Sequence, residues 1–332
     1  MRTTLLLLTA ATLLAEPAAA QPGPHAYAMR TRYQGRGAEQ TERFSSKVRV
    51  GRDGRVSLAN ISGDIVVTAG GGDEVSIEAV KRARGGADQL RDVRIDVQNR
   101  PGAVDIQVNH LARNDRVSVD FTLTVPANAS VDLHSVSGTI KVTGVRGSVR
   151  AETVSGAVTA ADTPKLETAK SVSGNVTLSG ISLDGDLSAG SVSGSITARS
   201  VKVRHLEATS VSGDLLLADV ACDRLSAKSV SGSVEYSGGI SRGGSYDINV
   251  HSGNVRLILA NPAGFALTAS SFSGSVRSDL PLTIGGDSSV RDRDSRRGRR
   301  DDLSHSIRAT YGDGSAQLTV RTFSGNIVIE KR

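Results

Sequence analysis

The residues of this chain that could do chemistry are few and scattered. Gly239-Ile240-Ser241-Arg242-Gly243 has the Gly-x-Ser-x-Gly form of a hydrolytic nucleophile, and Asp247 and His251 follow in the order of an orienting acid and a base. That form works as a strained turn from a strand into a helix. No helical period follows it here, so it reads as a chance match in a chain with 36 glycines. Cleavage of an acidic sugar polymer would need carboxylates converging from neighbouring segments, or carboxylates holding Ca²⁺ beside a base. The closest acidic pair between repeat units, Asp184 and Asp186, sits in a Gly-flanked turn where aspartate serves local hydrogen bonding. His25, His110, His134, His205, His251 and His305 never fall at metal-ligand spacing. Cys222 is the single cysteine, which excludes an intrachain disulfide and cysteine-based zinc ligation, and in Val220-Ala221-Cys222 it reads as a small buried hydrophobe. No catalytic, cofactor-binding or metal-ligating residue is assigned, no cofactor is expected, and the chain is read as not an enzyme.

The pattern that organises the chain is a repeated pair: Ser62-Gly63, Ser137-Gly138, Ser155-Gly156, Ser173-Gly174, Ser193-Gly194, Ser212-Gly213, Ser231-Gly232, Ser252-Gly253, Ser273-Gly274 and Ser324-Gly325. From Gly138 to Gly274 the steps are 18, 18, 20, 19, 19, 21 and 21 residues. A near-constant period of this length is the signature of stacked structural repeats. Apolar residues fall in columns about each glycine. Five before it stand Leu58, Ala151, Ile248 and their equivalents, and two after it every copy has Val, Ile or Leu. Two before it stand Ile61, Val136, Val154, Val172, Val192, Val211, Val230, His251, Phe272 and Phe323. All three columns are read as an inward face.

Downstream of the glycine the alternation has period two, the mark of a half-buried strand, while the upstream residues are out of phase, as at a corner or bulge. One copy cannot bury such a face; copies stacked ~4.8 Å apart can. The expected fold is therefore all-β, a single-stack β-solenoid of about 19-residue rungs with an irregular all-β N-terminal section. The glycine lets the chain bend without crowding the axis, and the serine column is read as a structural hydrogen-bonding ladder.

The expected plan is a signal peptide at 1–20, an N-terminal extension at 21–43, the N-terminal all-β section at 44–130 and the Ser-Gly solenoid at 131–332. Arg2, the apolar run Leu5 to Ala15 and the small residues Ala18 and Ala20 suit export and cleavage before Gln21. No later run approaches the ~20 apolar residues of a membrane span, so no transmembrane anchor is expected in the mature chain. The interval from Gly63 to Gly138 holds about four periods of alternating strands. The interval from Gly274 to Gly325 holds a charged excursion at about 286–305, whose core, Arg291 to Asp302, has six Arg and four Asp. Such a run reads as a solvated loop. The final Glu330-Lys331-Arg332 would blunt an exposed last edge. The formal net charge is +6, yet the chain has no Trp and only 3% aromatics, so nucleic acid is not an expected partner.

With these motifs in place, the chain resembles the bacterial putative-adhesin or toastrack-type β-solenoid domains, a family of unknown molecular function, over roughly Phe44 to Arg332. The resemblance is carried by Asn60-Ile61-Ser62-Gly63-Asp64-Ile65, by Val125-Pro126 closing the N-terminal section, by the rung series, and by Thr322-Phe323-Ser324-Gly325-Asn326-Ile327. It implies a place outside the cytoplasmic membrane, sometimes alongside envelope-stress systems, and brings no catalytic residues. The Arg/Asp excursion and the lack of an anchor depart from the family's pattern and weigh against direct membrane sensing. The expectation is an exported, non-enzymatic envelope protein, structural or adhesive, in the periplasm, on the cell surface or secreted, with an envelope polymer or envelope protein as partner. Two alternatives stand beside it: a periplasmic binding accessory of an envelope-stress system, and a polysaccharide-degrading β-helix enzyme, which would need carboxylates converging in a groove once the rungs are in register.

Overall fold

The structure is a computed structural model that describes residues 39–84, 86–111, 116–260, 262–284 and 305–332. The expected signal peptide and the run from Arg291 to Asp302 lie outside them. Each repeat is a pair of strands meeting at the Ser-Gly corner, as in Ser130–Ser137 with Ile140–Thr143 and Val149–Ser155 with Val158–Ala161. Like columns pair in parallel from rung to rung: Ala151 pairs with Leu133 and Ala169, and Val158 with Ile140 and Val176. Parallel, in-register stacking lets each apolar column bury itself against its own copies, which is why β-branched residues recur at fixed places. The columns five before and two after the glycine line this core; Leu58, Leu133, Ile65, Ile140, Val158 and Val176 are fully enclosed. The fold is the β-solenoid that the repeat implies.

A second corner stands six residues after the glycine. Gly144, Asp162, Gly180, Ser200 and Asp219 occupy it with φ between 52° and 75°. The left-handed conformation is open to glycine and tolerated by short polar side chains that bond locally, which is why these five rungs carry such residues there. Beyond this corner the middle rungs add a third side, where Ile181, Val201 and Val220 pair in line.

The column two before the glycine does not face inward. Ile61, Val136, Val154, Val172, Val192, Val211, Val230, Phe272 and Phe323 are between 42% and 51% exposed, and His251 is exposed with them. The upstream alternation runs on one step further than the sequence suggests. The residue three before the glycine turns in, as Thr153, Ser171, Ser191, Ser210, Ser229 and Thr322 do, and the parity changes only between it and the glycine. Hydrophobicity misleads here because the inward place carries a hydroxyl and the outward place a valine.

The rungs do not stack wholly in chain order. Ser245–Ser252 pairs with Ala316–Ser324, which in turn pairs with Phe265–Ser273. The last rung is therefore inserted between the two that precede it. Ile327–Lys331 lies between Val255–Leu259 and Val276–Ser278 and is not the exposed final edge expected of it. His305–Tyr311 runs antiparallel along Phe265–Ser273 and closes that half of the end.

At the other end the Gly63 rung stacks directly on the Gly138 rung. Beyond it, Ala103–His110 and Val117–Pro126 make one further parallel rung without the Ser-Gly pair. The remaining strands of that interval reverse: Val93–Arg100 and Glu74–Ala83 lie antiparallel on this rung, and Gln40–Arg49 lies antiparallel on Glu74–Ala83. Four parallel rungs could not form there. Pro101-Gly102, with Gly102 at φ 75°, is too short a link for anything but a hairpin.

Candidate functional site

The Ser-Gly corner is built by close approach of the backbone along the stack. Gly156 donates its N–H to the Ser173 carbonyl, Gly174 to Ser193 and Gly194 to Ser212, at 3.0–3.1 Å. A Cβ on Gly156, Gly174 or Gly194 would lie 2.0–2.2 Å from the carbonyl oxygen of the glycine one rung before. The column is glycine because the rungs touch there, a reason distinct from the bend alone. The same carbonyls accept a hydroxyl from the inward residue of the next rung: Ser171 Oγ to Gly156 at 2.8 Å, Ser191 Oγ to Gly174 at 2.9 Å, and Ser271 Oγ to Gly325 at 2.9 Å. The rung-to-rung hydroxyl ladder thus belongs to the residue two before each repeat serine. The repeat serines contribute their carbonyls and point outward.

The column after the glycine forms a second ladder. Asp64 Oδ1 accepts the Thr139 N–H at 2.8 Å, Asp214 Oδ1 that of Ser233 at 2.8 Å, and Asn254 Oδ1 that of Asn326 at 2.9 Å. These carboxylates and amides are consumed in satisfying backbone donors at the corner. They are spaced along the stack and do not converge on one point.

What the corner presents to solvent is a continuous apolar stripe. In spatial order it runs Ile61, Val136, Val154, Val172, Val192, Val211, Val230, His251, Phe323 and Phe272, one residue per rung. At ~4.8 Å per rung it spans about 43 Å. Its far end is a column of parallel rings, with His251 to Phe323 centroids 5.0 Å apart and Phe323 to Phe272 4.8 Å apart. Beside the stripe, on the same strands, runs a polar wall containing His134, Glu152, Lys170, Thr209, Lys228 and Arg321. Stripe and wall bound a surface groove, of which the stretch from His134 to Val211 encloses about 710 Å³. Gly190 leaves the wall without a side chain at mid-length, and the Lys170 stem lies against it. Thr209 and Val211 carry the groove on toward Phe272 and Phe323.

The residues with catalytic types are placed elsewhere and held in structural contacts. Ser241 donates its Oγ to the Cys222 carbonyl at 3.1 Å, its N–H meets the Tyr246 hydroxyl at 2.9 Å, and that hydroxyl bonds the same carbonyl at 2.5 Å. His251 is stacked on Phe323 in the outward stripe, and Asp247 accepts from Asn249 at 2.9 Å. The three make no relay. Cys222 is buried, and burial, reinforced by the nearby Asp223, pushes its thiol up to about 12, so it stays protonated. Asp184 and Asp186 flank a bulge within one long strand, where the register shifts between Leu183 and Asp186, and Asp186 lies 3.9 Å from Arg204. Among the described residues no group of three or more His, Cys, Asp or Glu could hold a metal. None of their helices is long and apolar enough to cross a membrane.

The outward stripe was missed by hydropathy alone. A usable signal existed, since Ser or Thr recurs one residue before the valine and a buried hydroxyl fits beside a glycine carbonyl. Compared with known proteins, the model of the family described as Toastrack DUF4097 matches residues 54–330. No curated protein matches. Among solved structures, a putative adhesin from Bacteroides fragilis aligns at 11% identity over 87% of this chain and 97% of its own, with a TM-score of 0.40. A putative lipid binding protein from Parabacteroides distasonis aligns at 14% identity over 67% of this chain and 91% of its own, with a TM-score of 0.42. A putative cell adhesion protein from Clostridium sporogenes aligns at 9% identity over 88% of this chain and all of its own, with a TM-score of 0.23.

Proposed function

Because this chain belongs to the Toastrack DUF4097 family, we propose that it is an exported, non-enzymatic protein of the bacterial envelope, a rigid β-solenoid that works by making contacts through its outward stripe. The stripe carries the reading. Soluble proteins that work alone seldom expose an apolar patch larger than a few hundred Å², and a column of ten apolar or aromatic residues kept outward on successive rungs is a surface built for contact. Support for export comes from the N-terminal sequence, with its single positive residue, short apolar run and small residues before Gln21. Support for a structural role comes from the chemistry-bearing residues, which are engaged in holding corners and loops together.

Location tests the proposal. Intact cells are treated with a nonpenetrating protease and the chain is followed by antibody, with a periplasmic protein as the protected control. Cleavage on intact cells supports surface display and adhesion. Protection until the envelope is opened supports a periplasmic scaffold or a stress accessory and removes the adhesive reading. Recovery of the chain with its first twenty residues in the cytoplasmic fraction overturns export altogether.

A further inference from the structure

We infer that the stripe is covered by the stripe of a second copy of this chain, the two solenoids lying antiparallel about a twofold axis beside Val192. The inference rests on reading the stripe as a contact surface, though not on export. The first argument is period. A row of side chains spaced ~4.8 Å apart over ten rungs can be matched along its whole length only by a surface with the same spacing, and identical ladders facing one another can interlock as a dry zipper. This chain is itself a bearer of such a surface.

The second argument is area. Each stripe side chain is about half exposed, on the order of 70 Å², so the nine from Ile61 to Phe323 that face a counterpart present roughly 600 Å², and the adjoining serines and polar wall bring the face to the ~800 Å² per partner of a stable interface. The third is charge. Pairing of identical faces about a twofold axis is self-complementary. An antiparallel arrangement centred on the Val192 rung sets each rung against the one equally far beyond the centre. Glu152, two rungs to one side, then faces Lys228 of the second copy, two rungs to the other, and the pair forms twice. Lys170 falls beside Glu207 of the second copy, again twice. Among the described residues neither Lys170 nor Lys228 has a carboxylate partner in its own chain.

The test uses the mature chain. Sedimentation equilibrium is expected to give twice the chain mass, and Val192→Glu to return it to one chain mass, weakening association more than about 100-fold by forcing a charge into the seam. Because Val192 points outward, the circular dichroism of this variant should match the wild type and its melting should be independent of concentration, at the value the wild type approaches on dilution, which separates loss of pairing from loss of folding. Glu152→Lys and Lys228→Glu should each weaken the dimer, and the double exchange should restore it. Val192→Cys is expected to cross-link to itself on oxidation, whereas Ile61→Cys, some eight rungs from its copy, is not. A single chain mass at all concentrations, a dimer indifferent to Val192→Glu, failure of the double exchange, or cross-linking of Ile61→Cys would each overturn the proposal. A monomer that still localises to the envelope would sink this inference alone, and a stripe-paired dimer confined to the cytoplasm would sink the export reading alone.

Discussion

The sharpest consequence of the corner geometry is the behaviour of Gly194→Ala. A Cβ there would stand 2.2 Å from the Gly174 carbonyl oxygen and 2.6 Å from its carbon. Ordinary carbon–oxygen contact begins near ~3.3 Å, so the two rungs would have to part by about 1 Å. Overpacking of this kind costs about 1–3 kcal/mol. Parting the rungs also stretches the Gly174 to Ser193 and Val176 to Ser195 backbone bonds, now 3.1 and 3.0 Å, and the Ser191 hydroxyl bond to Gly174, each worth about 1 kcal/mol. The expected loss is therefore about 3–5 kcal/mol. Gly194 is not among the glycines with positive φ, so left-handed backbone strain does not enter and the effect is set by contact with the neighbouring rung and the Ser191 hydroxyl bonded to it. Gly239→Ala is the matched control: its nearest neighbour would be the Ala260 oxygen at 3.9 Å, and the change should stay within about 0.5 kcal/mol. Urea unfolding followed by far-ultraviolet circular dichroism at fixed protein concentration measures both. A loss under about 1 kcal/mol for Gly194→Ala, or equal losses for the two, would show that the glycine column is not set by the approach of neighbouring rungs.

The orientation of the outward column is tested in the single-chain Val192→Glu background by pairing Val172→Ala, expected to change stability by less than about 0.5 kcal/mol, with Leu178→Ala in the core, expected to cost about 2–5 kcal/mol in the same unfolding measurement. Ser191→Ala should cost about 1–2 kcal/mol by removing the bond to the Gly174 carbonyl, and Ser191→Val should recover part of it, since Val250 fills the equivalent buried place in its own rung. The Cys222 thiol, its pKa raised by burial, should resist alkylation of the folded chain at pH 8 and react fully in urea, read by mass spectrometry. Rapid labelling of the native protein would show that the loop around Ser241 opens.

The solenoid was legible because its cause is periodic: Leu58 with its equivalents and Ile65 with its equivalents recur at fixed offsets and pack on copies of themselves. The stripe was not, although every one of its residues is in the repeat. Hydropathy assigns Val172 inward and Ser171 outward, and the structure reverses them, because a hydroxyl beside the Gly156 carbonyl gains a partner that a methyl group could not supply. Leaving that buried carbonyl without its hydroxyl would cost about 1–3 kcal/mol per rung, more than the roughly 1 kcal/mol forgone by exposing half a valine. The second corner was hidden for another reason. Gly144, Asp162, Gly180, Ser200 and Asp219 share no side-chain chemistry, only tolerance of a left-handed backbone, which a search for identical residues passes over.

The place of the last rung follows from strand length. The rung ending in Val255–Leu259 offers five residues for pairing, and Ile327–Lys331 answers all five, from Val255 with Ile327 to Leu259 with Lys331. Val276–Ser278 could answer only three before Asp279-Leu280-Pro281, where the proline has no N–H to give a ladder. Placed inside, the short rung would leave two positions on each neighbour unpaired; placed outside, it pairs with Ile327, Val328 and Ile329 and leaves a three-residue edge. Short edges are how sheet proteins avoid recruiting other chains, and the Ile-Val-Ile run, the most adhesive strand at this end, becomes interior. The ring column records the same order, since Phe323 stacks on both His251 and Phe272. The 51-residue interval between Gly274 and Gly325 is the trace of this arrangement in the sequence: the chain must leave the outermost rung, lay His305–Tyr311 along it and return one rung inward, which a 19-residue period cannot do. The insertion thus leaves at this end only the short Val276–Ser278 edge on the downstream side of the corner.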